Sequence, residues 1–149
     1  ELAKAFRKAG LPVVIVNVNP AGAAWTKARK EPSPAFGGAL KEDWADITPD
    51  LETHRDDIFI TKHTWSAFHE TALDAELKKR DVTGIVIGGV STSIGVEGTA
   101  RSASEKGYNL TFALDAMTDM FLEAHEKSIK YIFPRMGEIG NTEDVIKLL

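Results

Sequence analysis

The residues most able to do chemistry lie in two short stretches, each of which follows a run of strand-forming residues. Lys62 directly follows the run 57–61, and the hydroxyl-rich turn 91–93 follows the run 84–88. A helical pattern begins after this turn, near Ile94. Unpaired N–H groups and the positive end of the helix dipole favour a carboxylate, a phosphate or a carbonyl oxygen at such a point. A lysine beside it therefore predicts an anion-binding site.

The motifs around these residues resemble the isochorismatase-like, or cysteine hydrolase, family, which includes nicotinamidases and N-carbamoyl amidohydrolases. The shared pattern is K-x-x-x-S-A-F at 62–68, G-G-V-x-T at 88–92, V-x-x-T-A-R-x-A at 96–103, G-Y at 107–108 and D-A at 115–116. It covers about residues 1–145. The resemblance implies a three-layer α/β/α hydrolase fold of Rossmann-like type with a central, mostly parallel sheet.

The resemblance also implies three catalytic groups: an aspartate on the first strand, a lysine before S-A-F and a cysteine at the start of the helix after G-V-x-T. The lysine corresponds to Lys62, but the cysteine's position, directly before Val96, holds Gly95. The aspartate has no counterpart, because its strand would lie before Glu1. The catalytic positions in this chain are therefore Lys62 and Gly95, and Gly95 has no side chain to form a covalent intermediate.

Further ligand contacts follow from the same resemblance. The family has a non-proline cis peptide that corresponds to Val90–Ser91, and the N–H groups of Ser91 and Gly95 would form its oxyanion hole. We expect Val90 and Ser91 to contact the ligand. Specificity would come from the aromatic side chains that close over the pocket, namely Trp25, Trp44, Trp65 and Phe68.

Two alternatives concern the groups around Lys62. Ser91, Thr92 or Ser93 could replace the thiol if His63 acted as general base, although such hydroxyls more often satisfy backbone groups in a tight turn. Without its family partners, Lys62 would need a counter-ion, either Glu97 or a bound anion. Glu97 is equally explained as a carboxylate in the first turn of a helix. Asp115, in the D-A turn, is expected to be structural.

No metal or cofactor is predicted. The four histidines are scattered, and residues 16–19 read Val-Asn-Val-Asn where metal-binding nicotinamidases have D-x-H. The glycines at 88, 89 and 95 match neither of the common nucleotide-binding motifs.

The elements that must position these residues alternate between strand and helix. Strands are predicted at 12–18, 57–61, 84–88 and 109–114, with a weak fifth at 136–140. Helices are predicted at 1–8, 71–80, 94–106, 121–132 and from about 142 to Leu149. This alternation predicts right-handed crossovers and active-site residues at the carboxyl ends of the strands. The long connection 19–56 either packs on its own domain, covers the pocket or contacts another subunit.

Composition excludes several classes of protein. The chain has 149 residues, a net charge of −4 and no cysteine, so disulfides and thiolate chemistry are excluded. The excess of acidic over basic residues argues against nucleic acid as a binding partner. No run of apolar residues is long enough to cross a membrane. We expect a cytoplasmic protein that binds a small molecule and forms a homo-oligomer.

Residues 1–149 are predicted to form one isochorismatase-like domain that lacks its first strand. That strand lies in the middle of the family's sheet, and its absence would leave two rows of unpaired backbone groups. We expect a segment upstream of Glu1, or another segment, to fill the slot. The favoured function is a catalytically degenerate homologue that binds a small anionic or carbonyl ligand. The alternatives are an active hydrolase of amide or vinyl-ether bonds by a non-cysteine route, and a structural oligomeric subunit.

Overall fold

The computed structural model describes residues 1–20 and 41–149, and its elements alternate as predicted. The strands are β1 (Val14–Val18), β2 (Ile58–Lys62), β3 (Gly84–Val90), β4 (Asn109–Thr118) and β5 (Gly137–Gly140). The α-helices are α1 (Leu2–Lys8), α2 (Leu73–Lys78), α3 (Glu97–Glu105), α4 (Leu122–Lys127) and α5 (Thr142–Ile146). All five predicted strands and all five predicted helical regions are present.

Some boundaries differ from the predictions for identifiable reasons. Helix α2 begins two residues later than predicted, because Thr71 Oγ1 donates to Ala67 O and accepts from Leu73 N just before it. The predicted helices 94–106 and 121–132 each include a π-helical turn, at Thr92–Val96 and Ser128–Ile132. Strand β4 continues past residue 114 to Thr118, which brings Asp119 to the carboxyl end of the sheet.

The strands form two parallel sheets within one three-layer α/β/α fold. Strand β1 pairs with β2, and β3, β4 and β5 pair in that order. Core residues of β2 (Ile58 and Ile60) and of β4 (Leu110 and Phe112) belong to one hydrophobic cluster, so the two sheets share a core. The predicted fold class is confirmed.

Each sheet has a strand with one edge that pairs with no other strand in residues 1–20 and 41–149. Asn19 N donates to Lys62 O and Ile58 N donates to Val13 O, so the odd-numbered residues of β1 bond to β2. The N–H and C=O groups of the even-numbered residues, such as Val16, point to the other edge. In the other sheet, Asn109 N donates to Thr83 O, so the odd-numbered residues at the start of β3 bond to β4. The backbone N–H and C=O groups of Val86 therefore point away from β4.

Close packing of α3 on the sheet positions the turn before it. Ala100 and Ala103 are fully buried, so the helix backbone lies near the core. Phe112 of β4 stacks on Phe133 with ring centroids 4.0 Å apart, and both are fully buried. The amino end of α3 is consequently held at the carboxyl ends of the strands.

None of the helices in residues 1–20 and 41–149 is long and apolar enough to cross a membrane.

Candidate ligand-binding site around Lys62 and Gly95

Lys62 is the last residue of β2, and its side chain is partly buried. Nζ donates a hydrogen bond to Trp65 O at 2.7 Å. Burial of the Lys62 amine lowers its pKa from the usual 10.5, because the charged form loses hydration. Within residues 1–20 and 41–149, no carboxylate forms an ion pair with this amine.

Gly95 lies in the π-helical turn between β3 and α3 and faces this amine. A Cβ at residue 95 would lie 3.0 Å from Lys62 Nζ and 3.4 Å from Val90 O. A side chain at this position would therefore extend directly beside the lysine. The structure brings together the two residues that sequence reasoning assigned to the catalytic positions.

The turn between β3 and α3 is held by a carboxylate from β4. The peptide bond Val90–Ser91 is cis, as predicted. Asp119 Oδ2 accepts from Ser91 Oγ at 2.9 Å and from Ser93 N at 2.7 Å. Burial acts to raise the pKa of Asp119, but hydrogen bonds from Ser93 and Ser91 lower it overall. Sequence reasoning missed Asp119, whose one available signal was its position after a strand.

The structure does not pair the hydroxyls of this turn with His63. His63 Nδ1 lies 2.6 Å from Asn19 O. Thr92 is fully buried, and its Oγ1 lies 2.8 Å from His125 Nδ1. Ser91 instead faces the Asp119 carboxylate. The hydroxyls of Ser91 and Thr92 therefore form hydrogen bonds that hold the turn together. This is the structural role considered for them, as opposed to a role as nucleophile.

The other carboxylates singled out in the sequence have structural partners. Glu97 accepts from Arg101 at 2.8 Å and from the fully buried Ser128 at 2.7 Å, so it is not the counter-ion of Lys62. Asp115 Oδ1 accepts from Thr142 N at 2.7 Å and from Thr142 Oγ1 at 2.9 Å at the start of α5. Its role is structural, as expected.

The predicted ligand contacts divide into two groups. Val90 and Trp65 are 74% and 57% exposed beside the lysine, where a ligand could contact them. Phe68 is only 8% exposed and packs against Tyr108 in the core, with ring centroids 5.7 Å apart. Its aromatic ring therefore serves packing rather than the surface near Lys62. Trp25 lies outside the described residues.

A cavity of about 820 Å³ opens at the opposite end of the sheet. It lies at the amino ends of β1 and β2, and its lining includes Lys4, Arg7, Glu52 and Asp57. Arg7 and Asp57 form an ion pair at 2.7 Å there. Active-site residues of parallel sheets lie at the carboxyl ends of the strands, which is the end that holds Lys62 and not the end with this cavity. The described part of the chain contains no group of three or more His, Asp or Glu that could hold a metal ion.

Comparisons with known proteins agree with this geometry. The Isochorismatase domain family matches residues 1–144. The chain is 38% identical over 151 residues to the uncharacterized isochorismatase family protein YecD of Escherichia coli O157:H7, covering 100% of this chain and 80% of the relative. It is 36% identical over 149 residues to YwoC of Bacillus subtilis, another uncharacterized isochorismatase family protein, covering 99% of this chain and 79% of the relative.

A solved structure shows the same fold. The isochorismatase family protein of Burkholderia thailandensis superimposes with a TM-score of 0.89 at 37% identity. The match covers 98% of this chain and 77% of that protein.

Proposed function

The chain belongs to the isochorismatase family, and we propose that it binds a small anionic or carbonyl ligand beside Lys62 without covalent catalysis at residue 95. A family reaction through a thiolate needs a cysteine, and this chain contains none. The favoured function is thus that of a hydrolase-like protein in which the pocket is kept and the nucleophile is absent.

The distance between residue 95 and Lys62 carries this proposal. A Cβ at Gly95 would lie 3.0 Å from Nζ, closer than an ordinary packing contact, so the glycine allows the partly buried amine to approach the backbone of the turn. That amine has one acceptor, Trp65 O, among its hydrogen bonds to described residues. A ligand oxygen that approaches Nζ would accept a charge-assisted hydrogen bond from the protonated Lys62.

The turn before α3 supports the same ligand chemistry. Asp119 bonds to both Ser91 and Ser93, which restrains the backbone on the two sides of Thr92. N–H groups of Ser91 and Gly95 directed at the ligand would stabilise an oxyanion without reorganisation of the turn. Exposed Val90 and Ile94 would contact apolar parts of the ligand.

Calorimetric titration with propionate, pyruvate and inorganic phosphate tests the proposal. We expect the wild-type chain to bind at least one of these probes and Lys62→Met to bind it about tenfold or more weakly, since a hydrogen bond to a charged group contributes about 1.5–3 kcal/mol. Lys130→Met is the matched control, because it removes the same charge from an exposed position beside Tyr131. Absence of binding by the wild type, or equal affinity in Lys62→Met, would contradict the proposal.

Turnover assays address the alternative of a non-cysteine hydrolase. We expect the chain to hydrolyse neither isochorismate, nor nicotinamide, nor N-carbamoyl amines. Ser91 faces Asp119 rather than His63, and Thr92, whose Oγ1 lies 2.8 Å from His125 Nδ1, is fully buried, so neither hydroxyl is paired with a histidine where a ligand can reach it. A rate that Lys62→Ala abolishes would favour the alternative.

A second candidate function, as a subunit of a homo-oligomer, is favoured by an exposed apolar patch. Met120, Phe121 and Leu122 follow Asp119, the first residue after β4, and are 70%, 60% and 69% exposed. Consecutive large apolar side chains in water mark interaction surfaces. A second copy of the chain is the proposed partner, and light scattering of the wild type and of Phe121→Ser distinguishes a dimer from a monomer.

A further inference from the structure

The cavity of about 820 Å³ at the amino ends of β1 and β2 has no part in the proposed function. Ligand pockets in proteins commonly enclose about 300–1,000 Å³, so this cavity is large enough for a small organic molecule. The described residues that line it do not include Lys62 or Gly95. A ligand bound here would therefore occupy a second site, separate from the one at the carboxyl ends of the strands.

One wall of this cavity is a face of α1 that carries three cations. Lys4, Arg7 and Lys8 all line the cavity, and residues three and four positions apart lie on the same face of a helix. Lys4 and Lys8 are exposed, and neither forms an ion pair with a residue in 1–20 or 41–149. The two lysines can therefore bind an anion without losing a carboxylate partner from these ranges.

Arg7 has a fixed position and keeps hydrogen-bond donors available. Its Nε and Nη2 donate to the two oxygens of Asp57 at 2.9 and 2.7 Å, which orients the guanidinium group. Nη1 has no hydrogen-bond partner in the described part of the chain. Every fully buried side-chain nitrogen or oxygen there has a partner, so solvent reaches Nη1. Its N–H groups can thus donate to a ligand in the cavity that Arg7 lines.

The carboxylates that line the cavity compensate only part of this positive charge. Asp57 is neutralised by Arg7, and Asp56 forms an exposed ion pair with Arg55 at 3.5 Å. Glu52 also lines the cavity, and it forms no ion pair with the described residues. One unpaired carboxylate therefore stands against two unpaired lysines, so the charge of the lining favours an anion.

An apolar strip lies in the same lining. Leu11 is 42% exposed, and Pro12 and Val13 are partly buried in the connection between α1 and β1. Pockets for small molecules combine such apolar contacts with a few polar groups that fix the orientation of the ligand. The lining therefore suits an anion that has an organic part rather than an inorganic ion alone.

We propose that this cavity binds an organic phosphate monoester. Its phosphate accepts hydrogen bonds from Lys4, Arg7 and Lys8, and its organic part contacts Leu11 and Val13. Three cationic donors match the three terminal oxygens of a phosphate monoester, whereas a carboxylate offers only two oxygens. The inference goes beyond the proposed function, because the two sites have no residue in common.

Titration of the isotope-labelled chain with phenyl phosphate, followed by NMR, tests the inference. Phenyl phosphate has a phosphate group and an apolar ring, the two features that the lining would recognise. We expect saturable shifts of the amide signals of Gly10, Leu11 and Val13, which line the cavity. Inorganic phosphate should bind more weakly, because it has no apolar part. Absence of saturable shifts at these amides, or equal affinity for the two probes, would overturn the inference.

Variants of opposite charge test the sign of the interaction. Lys4→Met/Lys8→Met should bind phenyl phosphate about tenfold more weakly, since one exposed ion pair contributes up to about fivefold in affinity. Glu52→Gln should bind it about twofold more tightly, because the substitution removes a negative charge from the lining. All three side chains are exposed, so we expect these variants to fold. Unchanged affinity in Lys4→Met/Lys8→Met, or weaker binding by Glu52→Gln, would contradict the inference.

Lys127→Met/Lys130→Met is the matched control, because it removes the same charge from exposed positions outside the described lining. It should bind phenyl phosphate as the wild type does. An equal loss of affinity in this variant would refute the site, because binding would then follow net charge alone.

Lys62→Met separates the inference from the proposed function. The variant should keep the shifts at Gly10 and Val13, since Lys62 does not line the cavity. Loss of these shifts in Lys62→Met would refute a separate site. Shifts that persist in Lys62→Met support the cavity site even if the wild type binds no ligand beside Lys62, so the two proposals can fail independently.

Discussion

Lys62, the proposed ligand-binding residue, has a side chain whose burial lowers the stability of the folded chain. Its amine is partly buried and has a backbone acceptor but no described carboxylate partner. Replacing a desolvated charge with an apolar side chain of similar length removes that cost. Natural sequences keep such groups where function needs them, at some expense in stability.

The pH dependence of stability should report this cost directly. Because the pKa of Lys62 is lowered by folding, the unfolded chain binds more protons than the folded chain between the lowered pKa and 10.5. The contribution of Lys62 to stability therefore rises with pH through this window. We expect the stability of Lys62→Met relative to the wild type to fall as the pH rises toward 10.5, measured by urea unfolding.

Lys130→Met is the control for this experiment, since Lys130 is exposed. Its stability relative to the wild type should not follow the same trend. If the free energy of unfolding changed with pH in the same way for Lys62→Met and the wild type across the alkaline range, the Lys62 amine would not be desolvated.

At the scale of elements, the two parallel sheets have edges that another strand could pair with. Strand β1 pairs only with β2, and β3 only with β4, among the described strands. A buried parallel sheet interrupted in this way leaves N–H and C=O groups without sheet partners. We propose that a further strand can pair with these edges of β1 and β3, in line with the expectation that another segment fills a slot in the sheet.

Amide hydrogen exchange tests the free edges. In this 149-residue chain, we expect the N–H groups of Val16 and Val86 to exchange faster than those of Asn17 and Ile87, which bond to the neighbouring strands. Each amide expected to exchange fast is compared with the next amide on the same strand, so differences in local solvent access do not explain the result. Equally slow exchange at all four would show that the edges are already paired.

At the scale of the whole molecule, one ion pair ties the first helix to the start of β2. Arg7 of α1 donates to both oxygens of Asp57, at 2.9 and 2.7 Å, and the Asp57 side chain is 2% exposed. Asp57 also accepts from His54 N. The hydrogen bond from Arg7 is the main cause that lowers the pKa of Asp57.

Asp57→Asn should destabilise the molecule by about 3 kcal/mol, because it leaves Arg7 partly buried without its counter-ion. The pKa of Asp57 is below 3.8 in the folded chain, so its stabilisation is present above pH 3.8 and is lost as the pH falls through the lowered value. The variant should therefore lose stability less steeply than the wild type in acid. Urea unfolding at neutral pH and below pH 4 measures both effects.

Asp56→Asn is the matched control, since the neighbouring Arg55–Asp56 pair is 92% and 86% exposed. We expect no measurable change in stability from it. A loss in Asp56→Asn as large as that in Asp57→Asn would refute the assigned role of the buried pair.

The sequence alone determined the strand and helix order, the glycine at residue 95 and the candidate lysine. Strand runs, helix stops and motif residues are local features, and local conformational preferences suffice to predict them. The family resemblance then predicted that Lys62 and Gly95 belong to one site.

Tertiary structure decided which side chains meet across the chain. Ser91 and Asp119, 28 positions apart, come together because β3 and β4 end side by side. Packing likewise places Phe68 in the core. It also brings Glu97 to Ser128, which donates a hydrogen bond to it, and not to Lys62. Such contacts depend on how distant elements pack, and no local pattern in the sequence encodes that geometry.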